Sequence, residues 1–251
     1  MERDARPGLV LQHGESGPPA ILGDWLVGRG IEHEVHETWR EPLPGAAADY
    51  GWVASLGSEH TPGANGALAW VEAEIEFLRS ALELGVPVLG LCFGGQTLAV
   101  AAGGSVAPSE PPEIGWIGIE TSDPELVPAG PWLHYHYDML RPPADSEVLA
   151  WSPAGPAAFV LGPSLGLEFH PESTPEIAAA WARMDDAARL ERLGIDPARL
   201  EDGAPGARDA AIRLFDAWWE RVGFYRRDGM GTLSKIAEAE LSSPSDPRRS
   251  T

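Results

Sequence analysis

Thiols and lysines are scarce in this sequence. Cys92 is the single cysteine among 251 residues, so no disulfide can form within the chain. That usage favours a reducing compartment. No apolar run approaches the roughly 18 residues that a membrane span needs. The first residues, MERDARPG, include acids and no apolar stretch, so we expect no secretory signal and a cytoplasmic location.

Positive charge is also scarce. The chain has 18 basic and 38 acidic residues, a formal net charge of −20. Such a surface repels phosphate backbones and anionic lipid, so we expect neither nucleic-acid nor membrane binding. Apolar residues make up 43% of the chain, enough for a full core. The length suits one α/β domain with, at most, a small appendage.

The first 105 residues alternate between short apolar runs and segments of helical period. This alternation predicts an α/β fold with a doubly wound, mostly parallel sheet and flanking helices. The predicted strands cover residues 9–11, 32–36, 50–56 and 86–91, and the predicted helices 18–27, 68–84 and 97–102.

The second half has a different pattern. Short strand candidates follow one another without helices between them, which predicts short antiparallel additions to the sheet. Helices are predicted to start at Thr174-Pro175 and to cover 207–222. We therefore expect one domain over residues 1–225 and a polar, partly mobile tail over 226–251 that trypsin can clip. The strand candidates are 114–120, 132–137, 147–151, 157–161 and 165–169.

The most informative segment lies between residues 86 and 102. An apolar strand runs into Gly90-Leu91-Cys92-Phe93-Gly94 and then into a helix. Glycines two residues before and after Cys92 permit the sharp turn of a nucleophile elbow, with cysteine at its apex. A helix N-terminus at that place is expected to favour the thiolate. A lone cysteine is otherwise most often a small buried hydrophobic residue.

A candidate base follows the strand at 165–169. His170 ends that apolar run and precedes Pro171-Glu172. Strand ends are where α/β sheets build sites. A carboxylate two residues after an imidazole can fold back to orient it, as in a catalytic triad. Cys92, His170 and Glu172 are therefore the predicted catalytic residues.

The segments LGLCFGGQ and EFHPE together resemble the class I glutamine amidotransferases, whose triad is Cys, His and Glu. The resemblance covers about residues 8–222 and is strongest to stand-alone, GMP-synthase-like members. It implies a flavodoxin-like class I amidotransferase fold. Three further segments match family patterns less specifically: Leu56-Gly57-Ser58, Glu113-Ile114-Gly115-Trp116 and His136-Tyr137-Asp138.

The resemblance also implies roles. Cys92 would attack the glutamine side-chain amide, His170 would shuttle the proton and Glu172 would orient His170. The backbone amides of Gly57 and Phe93 would form the oxyanion hole. No cofactor is implied.

The family's substrate pocket implies contacts with the amino-acid end of glutamine. Gln96 would touch that end, and the His136, Tyr137 and Asp138 segment would complete the pocket. The residues around Gly57 depart from the family's usual Gly-Gly-Pro, which leaves the substrate preference open.

A metal site is the alternative interpretation of His134, His136 and Asp138. Residues two apart share a strand face, so these three side chains could ligate an ion. The resemblance already accounts for the segment, and we predict no metal.

Other charged residues are assigned to the surface. The acidic run Glu72, Glu74 and Glu76 is interpreted as a solvated helix face, and His33 and His36 as surface residues.

Three functions remain open. The first is a glutaminase that hands ammonia to a synthetase on another chain. The second is a free-standing γ-glutamyl hydrolase or peptidase with the same thioester chemistry. The third is a catalytically silent protein with a binding or regulatory role, against which the presence of Cys92, His170 and Glu172 argues.

Overall fold

A computed structural model describes residues 6–62 and 68–227 of the chain. An eight-stranded sheet runs through it in the order β2-β1-β3-β4-β10-β9-β8-β6. Strands β2, β1, β3, β4 and β10 are mutually parallel, whereas β9, β8 and β6 add on as antiparallel strands. These strands are β1 (Gly8–Gln12), β2 (His33–Glu37), β3 (Trp52–Ser55), β4 (Val88–Leu91), β6 (Glu120–Thr121), β8 (Glu147–Trp151), β9 (Pro156–Leu161) and β10 (Ser164–Leu167).

Helices cover both faces of this sheet. Helices α1 and α7 share a core with one face, and α2 and α3 share a second core with the other. The strands supply both cores by alternation: Val10 and Trp52 face the first, Leu9 and Val53 the second. The helices are α1 (Ala20–Arg29), α2 (Ala69–Glu83), α3 (Phe93–Ala101), α4 (Pro175–Met184), α5 (Ala187–Arg192), α6 (Ala198–Glu201) and α7 (Ala207–Arg227).

A separate two-stranded sheet lies outside the main one. It pairs β5 (Ser105–Ile117) with β7 (Trp132–Arg141) in antiparallel register, with an irregularity between Pro108 and Glu113. Helices α4 and α6 share a third, smaller core with this pair.

The predicted fold class is confirmed: the sheet is mostly parallel, doubly wound and extended by antiparallel strands. The helix after the cysteine begins at Phe93, earlier than the predicted 97. Thr174 caps α4 with Pro175 at its first position, as predicted. The tail beyond 227 lies outside the described residues. Within those residues, no helix is both long and apolar enough to cross a membrane.

Two surface assignments are wrong. Glu74 is fully buried in α2, whereas Glu72 and Glu76 are exposed. Residue 74 lies three positions after Val71 and four before Leu78, so it falls on the apolar stripe of the helix. His36 is also buried, at 8% exposure.

Candidate active site

Cys92 occupies a strained turn between β4 and α3. Its φ is +51° and its ψ −109°, a conformation that a residue with a side chain rarely adopts. Backbone packing permits the turn, because a Cβ on Gly90 would lie 2.5 Å from the Gly94 carbonyl oxygen. A Cβ on Gly94 would lie 2.0 Å from the Ser55 carbonyl oxygen. Strand, turn and helix therefore approach closely only with glycine at these positions.

The thiol of Cys92 is not poised as a thiolate. Burial raises its pKa well above the usual value, and the charges of Glu168 and Glu172 raise it further. The Phe93 N–H, which points at the sulfur, acts in the opposite direction. The expectation that the helix N-terminus favours the thiolate is therefore wrong for the substrate-free chain, because burial outweighs it.

His170 and Glu172 form a buried pair. The imidazole Nδ1 lies 2.8 Å from Glu172 Oε1, and both side chains are 4% exposed. The Ser173 hydroxyl also donates to Oε1 at 3.3 Å, while Oε2 has no partner among the described residues. The ring of Trp181 packs against the imidazole, with centroids 4.7 Å apart.

Adjacent strands bring Cys92 and His170 to one edge of the sheet. In the parallel pairing of β4 with β10, Leu91 lies opposite Leu167. The Cys92 N–H donates to the Leu167 carbonyl at 2.9 Å, and His170 follows three residues later. This is the carboxyl edge of the parallel strands, where α/β folds place their sites.

Gly57 lies in the loop after β3, next to His170. A Cβ at this position would lie 2.6 Å from the imidazole Cε1, so only glycine fits without displacing the ring. The Gly94 N–H donates to the Leu56 carbonyl at 3.0 Å. Since a trans peptide points its C=O and N–H in opposite directions, this bond fixes the direction of the Gly57 N–H.

A second buried histidine–glutamate pair lies behind this loop, and the sequence interpretation missed it. His13 Nε2 is 2.7 Å from Glu74 Oε2, and its Nδ1 is 3.2 Å from the Gly57 carbonyl oxygen. The Ser55 hydroxyl donates to Glu74 Oε1 at 2.6 Å. Like His170, His13 follows the end of a parallel strand, which was a usable signal. The position of Glu74 on the apolar stripe of α2 was another.

Gln96 and Asp138, both predicted pocket residues, are brought together. The Gln96 amide nitrogen donates to the Asp138 carbonyl at 3.1 Å and to Glu168 Oε1 at 2.7 Å. The Asp138 carboxylate accepts from Thr61 at 2.5 Å. The other two predicted pocket side chains point elsewhere. His136 Nε2 lies beside Glu113, and the Tyr137 hydroxyl donates to Asp185 at 2.7 Å.

Glu168 was not singled out in the sequence. It is fully buried, and its second oxygen accepts from the Leu140 N–H at 2.5 Å. Burial raises its pKa to about 7, although the Gln96 and Leu140 donors favour the charged form. An acid inside the apolar run at 165–169 was the signal that could have identified it.

Comparisons with known proteins decide the family. A model described as glutamine amidotransferase class-I matches residues 60–181. The GMP synthase (glutamine-hydrolyzing) of Aeropyrum pernix is 34% identical over 167 residues, which are 61% of this chain and 30% of that protein. The chain belongs to the class I glutamine amidotransferase family. A second relative of this amidotransferase is a GMP synthase (glutamine-hydrolyzing) subunit from Ignicoccus hospitalis, 33% identical over 108 residues.

That second alignment covers 39% of this chain and 57% of the Ignicoccus protein, so the chain spans less than two thirds of both relatives. Solved amidotransferases share the fold. The structure from Methylobacillus flagellatus has a TM-score of 0.76 at 24% identity, covering 86% of this chain and 95% of its own. The one from Thermotoga maritima gives the same score and identity, covering 88% and 99%.

Proposed function

We propose that this family member hydrolyses the side-chain amide of glutamine through a γ-glutamyl thioester on Cys92. The observation that carries the proposal is the placement of the Cys92 elbow and the His170–Glu172 pair at one carboxyl edge, on adjacent strands β4 and β10. Family membership gives the substrate class.

The buried thiol requires a base during attack. Glu172 binds the Nδ1 side of His170, which leaves Nε2 for the reacting atoms. His170 takes the thiol proton as sulfur attacks the amide carbon, and gives it to the departing ammonia. It then takes a proton from water, which attacks the thioester and releases glutamate and the free thiol. Because burial disfavours a standing thiolate, proton transfer accompanies attack.

The Gly57 and Phe93 amides are the proposed oxyanion donors. The Phe93 N–H already points at the sulfur, and the Gly57 N–H is fixed by the bond at Leu56. Donors held in place before reaction stabilise the developing charge without having to reorganise.

The amino-acid end of the substrate is proposed to bind beside Gln96 and the Asp138 backbone. In the free chain these groups bond to one another and to Glu168. A substrate must exchange or extend those bonds, and a pocket of buried polar groups rejects analogues that cannot pair with them. Glutamine and γ-glutamyl compounds should therefore bind, whereas asparagine would place its carbonyl short of Cys92.

Ammonia is proposed to pass to a synthetase on a separate chain. The Ignicoccus relative is named as one subunit of a GMP synthase, which supports such a division. A free-standing γ-glutamyl hydrolase is the second candidate, favoured by the residues around Gly57. Leu56 and Ser58 replace the family's usual Gly-Gly-Pro there, which could alter the choice of leaving amine.

The test is turnover by purified protein. Wild type should release glutamate from glutamine or a γ-glutamyl dipeptide faster than it hydrolyses asparagine. Cys92→Ser should fold and lose turnover, because a serine hydroxyl is far less acidic than a thiol. Retained turnover in Cys92→Ser would exclude Cys92 as the nucleophile. Faster asparagine hydrolysis would exclude the γ-glutamyl pocket.

A further inference from the structure

Three metal-binding side chains meet between β5 and β7, away from the thiol. Glu113 lies directly opposite His136 in the strand register, and His134 is two residues before His136 on the same face. All three residues are buried. Each offers one ligand atom to a common point: Glu113 Oε2, His134 Nδ1 and His136 Nε2.

The three atoms form a nearly equilateral triangle. His134 Nδ1 lies 3.2 Å from His136 Nε2 and 3.3 Å from Glu113 Oε2, and the last two atoms are 3.2 Å apart. Nitrogen and oxygen ligands at about 2.0 Å from a tetrahedral zinc ion lie about 3.3 Å from one another. The triangle therefore has the dimensions of one face of a zinc coordination sphere.

Hydrogen bonds outside the triangle orient two of the ligands. His136 Nδ1 is 3.0 Å from the Asp138 carbonyl oxygen, so that nitrogen carries the proton and Nε2 presents its lone pair. The Ala154 N–H donates to Glu113 Oε1 at 3.1 Å, which leaves Oε2 facing the histidines. Partners of this kind hold metal ligands in the correct orientation.

Protons alone satisfy this cluster poorly. With His136 donating to Asp138, a single N–H on His134 would have to serve both the His136 lone pair and the Glu113 carboxylate. Glu113 Oε2 has no hydrogen-bond partner among the described residues. Burial opposes ionisation of Glu113, yet the two imidazoles outweigh it and lower the pKa of this carboxyl. Burial lowers the pKa of His134, which favours the neutral form that binds metals.

We propose that Glu113, His134 and His136 bind one divalent transition-metal ion, zinc by the size of the triangle. Two imidazoles and a carboxylate are a ligand set that zinc accepts. The sequence interpretation had predicted no metal and had considered Asp138 as the third ligand. The Asp138 carboxylate instead accepts from Thr61, and Glu113 takes the place considered for it.

The site would stabilise the proposed substrate pocket without taking part in the reaction. The Asp138 carbonyl oxygen lies 3.0 Å from His136 Nδ1 and also accepts from the Gln96 amide. A metal ion on His136 Nε2 fixes that ring and makes Nδ1–H a stronger donor. The ion would thus brace, through Asp138, the backbone that Gln96 binds.

The first test measures bound metal. Wild type, purified without a metal-affinity column, should carry about one zinc ion per chain by elemental analysis and native mass spectrometry. Glu113→Gln keeps the shape of the side chain but loses its charge, and should lose most of the metal. Cys92→Ala and His33→Ala, which alter a thiol and a histidine outside the triangle, should retain it.

A second measurement uses proteins with the triangle intact, in case Glu113→Gln fails to fold. After chelation, added CoCl₂ should give the visible spectrum of tetrahedral cobalt in wild type and Cys92→Ala alike. ZnCl₂ should raise the thermal unfolding midpoint of both. Wild type without bound metal, cobalt spectrum or zinc-dependent stabilisation would overturn the proposal. So would loss of the metal in Cys92→Ala.

Discussion

Two histidine–glutamate pairs contact Gly57 from different sides and differ in how fully they are bonded. His170–Glu172 leaves one glutamate oxygen without a partner among the described residues. In His13–Glu74, both ring nitrogens and both carboxylate oxygens have partners. A fully satisfied buried network rigidifies its surroundings, whereas an incomplete one retains capacity to bind. The comparison indicates a reactive pair held against a structural one.

The largest expected effect is on turnover, at the reactive pair. His170→Ala should lower kcat by roughly 10²–10⁴-fold, because the proton shuttle is lost. Glu172→Ala should lower kcat less, since an orienting group commonly costs less to remove. Kinetics on both variants, with thermal unfolding as a control for folding, measures this. A His170→Ala rate equal to wild type would place the base elsewhere.

The structural pair should respond in stability. His13→Ala leaves the Glu74 carboxylate buried beside Ser55 without its histidine, which should lower the free energy of unfolding by about 3–5 kcal/mol. Urea denaturation gives the value, with His33→Ala on β2 as the matched control. A loss no greater than in His33→Ala would mean that the pair contributes little to the fold.

Glu168 sharpens the comparison, because its hydrogen-bond donors among the described residues are an amide side chain and a backbone N–H rather than a histidine. Its pKa is raised to about 7 by burial, so the folded chain holds its proton more tightly than the unfolded one. Its contribution should therefore reduce stability by about 3 kcal/mol as pH rises from 4.5 through 7. Glu168→Gln should remove that pH dependence, whereas Glu83→Gln, at an exposed position, should retain it. Urea unfolding at pH 5 and 8 compares them.

Gly57 connects the two pairs, and the effect of changing it should be smaller still. A Cβ there would lie 2.6 Å from the His170 ring. Gly57→Ala should displace the imidazole and lower kcat by about 10²-fold, the scale of a misplacement of about 1 Å. Gly28→Ala in α1, where a Cβ meets no atom within 4 Å, should leave kcat unchanged. Equal rates in the two variants would show that the loop adapts.

The two pairs also differ in how visible they are in the sequence. His170 and Glu172 are two residues apart after a strand, so local spacing predicts their contact. His13 and Glu74 are separated by 61 residues and meet only because β1 and β3 are neighbours beneath α2. The parallel half of the sheet was predictable from apolar periodicity. The Glu113–His134–His136 triangle was not, since it depends on the register of β5 against β7.

Burial of Cys92 has a consequence beyond hydrolysis. Peroxides and alkylating agents react with thiolates, and the first product of peroxide is a sulfenic acid. A thiol that is 4% exposed, with a raised pKa, presents little of that form. The single sulfur nucleophile of the chain is thereby protected from oxidative inactivation while no substrate is bound, at the expense of a nucleophile that is ready before its base acts.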